Sequence, residues 1–381
     1  MKSKFLFAIA AAALSLSACS DNNAPNPNPT TGDDDSANLD YTTENAASWG
    51  NYMVQVSSLL RTDAANLYSA WTESYENGPA FATSFKAHNG GDYSSALSCV
   101  EQIIEGCADI ANEVGTAKIG DPYDLYASGQ TQRALYAVES WYSWHSREDY
   151  ANNIYSIRNS YYGTLDGTVS SASLSELVKA SDPALDSKMK KAISDAATSI
   201  LAIPQPFRNN INSREARIAM TACADLEELL SQDLNTAVKT LDATALQKVV
   251  DNYVDNVVLP TYASLRDRNV ALHTAVITFK NSPSDANFAA ACTAWLEARE
   301  PWERSEAFLF GPVDALGLDP NMDSWPLDQD AIVQILNSGN YDDLNWTDGD
   351  DDDTIEAVQS VRGFHTLEFL LFKDGQPRKV K

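Results

Sequence analysis

The chain has 381 residues, long enough for two domains, and 44% of them are hydrophobic against 21% charged. Fifty-three acidic residues face 27 basic ones, a formal net charge of −26, which argues against nucleic acid or an anionic lipid surface as a partner and leaves cations and basic ligands open. Most of that acidity does no more than keep an exported protein soluble, so it excludes partners better than it names them.

The chain begins with Lys2 and Lys4, an apolar run from Phe5, and then Leu16-Ser17-Ala18-Cys19. A basic start and an apolar run too short to span a bilayer predict a secretory signal over residues 1–18. Leu-Ser-Ala-Cys resembles a bacterial lipobox, which makes Cys19 the expected lipidation site. Residues 19–43 follow as an expected tether, because "SDNNAPNPNPTTGDDDS" is rich in Pro, Asn, Thr and Asp and has little that can pack.

Beyond the tether the periodicity is helical almost throughout, and the pattern predicts an all-α architecture of packed bundles. Cys99 and Cys107 sit about 12 Å apart on one expected helix, too far for a disulfide. They, Cys223 and Cys292 read as buried apolar residues, with a Cys223–Cys292 bridge as the alternative. Leu246, Val249, Val250, Val254, Val257, Val258, Leu265, Leu272, Val276 and Phe279 recur at steps of three and four, a long stripe that Pro260 should kink or split. The next helical segment is expected to stop at Gly311-Pro312. Weak patterning near Thr240 divides the folded part into helical domains at 44–240 and 241–381. Residues 337–354, "NSGNYDDLNWTDGDDDDT", form an acidic loop that matches a calcium loop poorly and reads as solvated.

No His-Glu-x-x-His, Gly-x-Ser-x-Gly or phosphate-loop motif is present. His365 and Glu368, three apart, share a helix face and can hold a cation. Spacing alone is weak, since four histidines and 53 acidic residues give about half a His-x-x-acid by chance, and His145 with Glu148 is a second instance. Arg299, Glu303 and Glu306 stand at steps of four and three among Trp295, Trp302, Phe308 and Phe310, where unpaired charges are costly. Either they form a self-satisfied ladder, or Glu303 or Glu306 reaches His365 and Glu368 to line a water-accessible polar pocket.

"RGFHTLEFLLF" resembles the Gly-x-His-x-x-Glu signature of imelysin-like proteins. "AWLEAREPWERSEAFLFGPVD" with "DSWP", and upstream "IGDPYDLYA", "ESWYSWHSREDYANNIYSIRNSYYG", "LSELVKASDPALD" and "ILAIPQPF", resemble other parts of that family. The order differs: the Glu139-Ser140-Trp141-Tyr142-Ser143 half comes first and the chain ends just after Glu368, as in a circular permutation. Such a permutation requires Lys373 to Lys381 to lie near the start of the first helix, around Ala46 to Val54.

The resemblance implies a two-domain helical fold with a junction site containing Gly363, His365 and Glu368. Glu303 and Glu306 are the expected further metal ligands, and Arg299, Glu139 and Ser143 the expected lining. His145 and Glu148 match no signature position and are set aside. A single histidine among carboxylates suits iron or another divalent cation better than a hydrolytic zinc. The expected function is therefore a lipoprotein of the outer membrane, facing the periplasm or the outside, that binds a metal or haem and works with receptor or transporter components of iron uptake. The alternatives are a metal-dependent peptidase of the imelysin type and a surface docking protein with no ligand of its own.

Overall fold

The computed structural model describes residues 39–89, 93–347 and 350–381. The signal segment, Cys19, the tether through Asn38 and Asp348 of the acidic loop lie outside the described residues. The frame is built by α1 (Ala46–Thr72), α2 (Ala96–Glu113), α3 (Ser146–Tyr162), α4 (Pro183–Leu201), α5 (Arg214–Glu228), α6 (Ala243–Tyr253), α7 (Leu259–Asn281), α8 (Asp285–Glu303), α9 (Leu318–Asp323) and α10 (Gly363–Leu371). Among the described residues, strand is limited to two short antiparallel hairpins, Ser74–Tyr75 with Gly78–Pro79 and Phe372–Lys373 with Gln376–Pro377. The fold is all-α, as the periodicity predicts.

Helix starts are set by side-chain caps. Ser95 and Ser98 form a reciprocal capping box at α2, and the Asp182 carboxylate accepts from Ala184 N and Leu185 N ahead of Pro183 at α4. The long apolar stripe is split as expected: α6 ends in a π-helical turn, Val254–Val258, and α7 starts with Pro260, which has no N–H to give to Asn256. All ten stripe residues are buried, each contributing about 1.5–3 kcal/mol of apolar burial. The expected stop at Gly311-Pro312 lies too far along. Helix α8 ends at Glu303, two residues after Pro301, which removes a backbone donor from the last turn, and a short 3-10 turn, Glu306–Phe308, follows.

Two groups of helices meet at the candidate site. In one, α7 packs on α1 and α8, and α10 packs on α1, α8 and α9; in the other, α4 packs on α3 and α5, and α2 on α3, α5 and α6. Helix α3 against α8 joins them. Helix α1, assigned by sequence to the segment 44–240, packs on helices of the segment 241–381, because its buried face of Trp49, Tyr52, Met53, Val56 and Leu60 meets the α7 stripe.

The first described residues pack against the last. Residues 39–43, expected in the tether, are part of the fold: Tyr41 is buried with ring contacts to Trp49, Phe279 and Phe288 at 5.4–6.1 Å. Arg378 donates to Leu39 O at 3.0 Å, Asp40 Oδ1 at 3.1 Å and Phe369 O at 2.9 Å, with its guanidinium 5.1 Å from the Trp49 ring centre. The C-terminal residues thus lie beside the start of α1. All four folded-region cysteines are free and buried, so the Cys223–Cys292 bridge does not form; burial pushes the Cys99 and Cys107 thiols up to about 12, away from reactivity.

Candidate functional site

The site grows from one guanidinium. Helical spacing places Glu303 one turn beyond Arg299 on α8, with Arg299 Nη2 2.6 Å from Glu303 Oε1. Arg299 also pairs with Asp323, at the end of α9, and lies 3.7 Å from Asp149, in the first turn of α3. Three carboxylates from three helices therefore share a cation with no exposure to water.

Helix α10 closes the site from the other side. Gly363 opens it at φ +85°, and a Cβ there would lie 2.6 Å from Met322 O, so only glycine lets α10 start this close to α9. That start aims His365 at two acids: Nε2 lies 3.1 Å from Asp323 Oδ1 and Nδ1 3.1 Å from Glu368 Oε2. Glu368 Oε1 accepts from Tyr142 N at 3.1 Å, Ser143 N at 2.8 Å and Ser143 Oγ at 2.6 Å. Burial and Arg299 push the imidazole toward neutrality, but its hydrogen bonds to Asp323 and Glu368 outweigh them and hold its pKa up at about 9. Both nitrogens of His365 thus face carboxylates, a setting that favours the protonated ring, with Arg299 Nη2 also 3.3 Å from Nε2.

The acids divide into two kinds. Burial opposes the ionisation of Asp323, yet Arg299 and His365 draw its pKa far below the ordinary value. Asp149 behaves likewise, lowered against burial by His145, whose Nδ1 is 2.8 Å away, and by Arg299 and Ser140. Glu303 and Glu306 go the other way. Burial dominates at Glu303, with Asp149 and Asp323 adding to it and Arg299 and Lys118 opposing, and its pKa rises to about 8. Glu306 is raised well above its usual value by burial and by Glu303, Asp319 and Glu113, against Lys118.

A ligand-like convergence sits where the second kind gathers. One carboxylate oxygen each from Glu303, Glu306 and Asp323 lie within 4.8 Å of one another. Glu303 Oε2 accepts from Asn153 Nδ2 at 2.6 Å, while Glu306 Oε1, in a residue only 7% exposed, has no hydrogen-bond partner. A buried carboxyl group with an unpartnered oxygen, in a cluster of three such groups, fits a hard cation, which prefers oxygen donors.

Of the residues expected from sequence, the structure brings together His365, Glu368, Ser143, Arg299, Glu303 and Glu306, and it connects Glu139 to them through Lys118. Two expectations are corrected. His365, Glu368, Glu303 and Glu306 do not form one converging set, because Asp323 stands between the imidazole and Glu303, and Glu368 is filled by Ser143 and His365. The pocket is also not a water-accessible hollow: His365, Glu368, Glu303 and Arg299 are fully buried. His145, set aside from sequence, joins the network through Asp149, while its supposed partner Glu148 binds Arg147 and Gln205. Sequence reasoning missed Asp149, Lys118 and Asp323. Asp323 was within reach, being the first residue of "DSWP".

The imelysin family (Peptidase_M75) matches the chain over residues 24–232 and 258–380. A crystal structure described as an imelysin peptidase from Bacteroides ovatus is 60% identical, covers 91% of this chain and 100% of its own, and superposes with a TM-score of 0.89. Iron-regulated protein A of Synechococcus elongatus is 32% identical over 155 residues, 41% of this chain and 38% of that relative, so the match spans about two-fifths of the relative's length.

Proposed function

The chain belongs to the imelysin family, and on that premise we propose that it binds a hard metal cation, iron foremost, between Glu303, Glu306 and Asp323 and serves iron uptake at the cell envelope. The observation that carries this reading is the convergence of one carboxylate oxygen each from Glu303, Glu306 and Asp323 within 4.8 Å, in a cluster where Glu306 also has a buried oxygen, Oε1, with no hydrogen-bond partner. An all-oxygen donor set suits iron or another hard divalent cation better than a hydrolytic zinc. His365 and Glu368 act behind that set: the imidazolium fixes Asp323, and Glu368 with Ser143 fixes the imidazolium, the part that partners of ligating groups play in metal sites. His365 has neither nitrogen free to serve as an axial ligand to haem.

The relative named Iron-regulated protein A supports the link to iron. In this reading lipid on Cys19 holds the protein to the outer membrane, where it hands its ion to receptor or transporter components. The placement of the C-terminal residues against Asp40 and Trp49 supports the permuted order of the two halves, since the ends of a permuted chain occupy what is one continuous connection in the parent fold. A peptidase is the second reading, favoured by the name of the Bacteroides ovatus relative; it predicts chelator-sensitive cleavage of unfolded chains.

Metal analysis of the natively purified protein tests the binding reading. Stoichiometric iron, or stoichiometric uptake of added iron, is expected from the wild type and is lost in Glu306→Gln with helicity retained. No uptake by the wild type overturns it.

A further inference from the structure

We infer that Lys118 is a built-in counter-cation of the carboxylate cluster, an ammonium group that stands in for a metal ion and gives way when one enters. This rests on the cation-binding reading above and specifies how that site is regulated.

The placement of Lys118 begins with backbone geometry. Helix α2 does not stop at Glu113 but runs into a π-helical turn, Val114–Lys118, and such turns mark functional positions often enough to ask what this one does. Two glycines let it lie flat on its neighbours. A Cβ on Gly120 would come within 2.8 Å of Gly115 O, and one on Gly115 within 3.0 Å of Cys223 Cβ. The turn ends with the Lys118 side chain buried, where an unpaired ammonium is not tolerated.

What surrounds it is one-sided. Lys118 Nζ lies 3.1 and 3.0 Å from the two oxygens of Glu139 and 3.5 Å from Glu113 Oε1, and its charge acts on Glu303 and Glu306 beyond them. Four carboxylates therefore share one lysine, and the two inner ones also belong to the converging set. A metal ion and the ammonium compete for the same negative field, because like charges acting on the same buried carboxylates repel. Glu113 gives the displaced ammonium a destination. Its side chain is half exposed, so a small swing of the flexible lysine stem exchanges Glu139 for a partner nearer solvent.

The test uses Mn²⁺ as a hard-cation probe, titrated into wild type and Lys118→Met and followed by the electron paramagnetic resonance of the free ion. Lys118→Met is expected to bind at least tenfold more tightly. In the wild type, Mn²⁺ is expected to raise acetic-anhydride labelling of Lys118 several-fold while leaving the exposed Lys191 unchanged, a readout that stands even if the variant fails to fold. Wild-type binding that Lys118→Met leaves equal or weaker, or labelling of Lys118 that Mn²⁺ does not change, overturns the inference and leaves the binding reading in place. Binding by neither protein defeats both.

Discussion

The two ends of the buried charge network differ in how their acids are satisfied. At the His365 end, Glu368 receives three hydrogen bonds on one oxygen and an imidazolium on the other, and Asp323 sits between two cations. At the Glu306 end, acids outnumber cations, one oxygen has no partner, and burial raises the pKa values instead of being overcome. Saturated charges hold a fold in register, whereas starved ones are costly to bury and persist where something else binds them. The family signature therefore lies at the saturated end, and the starved acids lie one helix away.

The strongest way to break this contrast is to remove the cation both ends share. Arg299→Met leaves Asp149, Glu303 and Asp323 buried without it and is expected to cost about 3–5 kcal/mol, read from urea unfolding. A loss below about 1 kcal/mol would show that the acids are satisfied some other way. Gly363→Ala attacks the saturated end alone, forcing a Cβ against Met322 O at positive φ, and should cost about 3 kcal/mol. Metal affinity should fall with it only as far as Asp323 moves.

The pH dependence sharpens the contrast. His365 and His145 titrate near 9 in the folded chain, so the stability they add is fully present below their unfolded value of about 6.5 and is lost as pH rises through 9. Glu303, raised to about 8, acts in the same direction, since ionising it in the folded state costs more than in the unfolded chain. Metal-free protein is therefore expected to melt at steadily lower temperature between pH 6.5 and 9. A flat profile would place these groups in water. The smallest effect should come from the starved end: burial and its acidic neighbours already press Glu306 toward its neutral form, so Glu306→Gln should change stability by less than about 1 kcal/mol, in either direction. Glu368→Gln, its saturated counterpart, should cost more, and equal losses would erase the distinction.

Much of the fold was legible because it rests on local periodicity. The α6–α7 stripe needed only spacing, and the break at Pro260 only the missing N–H. The polar site was half legible. Arg299 with Glu303, and His365 with Glu368, lie within one helical turn of each other and so leave a sequence signal. Lys118 and Asp149 leave none, because their places are decided by long-range packing, of α3 on α8 and of α2 on the Glu306–Phe308 turn. The α8 terminus comes earlier than the expected Gly311-Pro312 because Pro301 already removes a backbone donor from the last turn. Tyr41 was missed for the opposite reason, as a lone aromatic after a polar stretch with no periodicity to declare it.

The clasp formed by Arg378, Lys373 and Lys381 on Asp40 has a mechanical meaning. Any tension arriving along the residues before Leu39 is met first by ionic and backbone bonds to the far end of the polypeptide, loaded in parallel, and only afterwards by the body of α1. Removing the last four residues would leave only Lys373 on Asp40, and a purification handle appended at Lys381 would crowd the clasp.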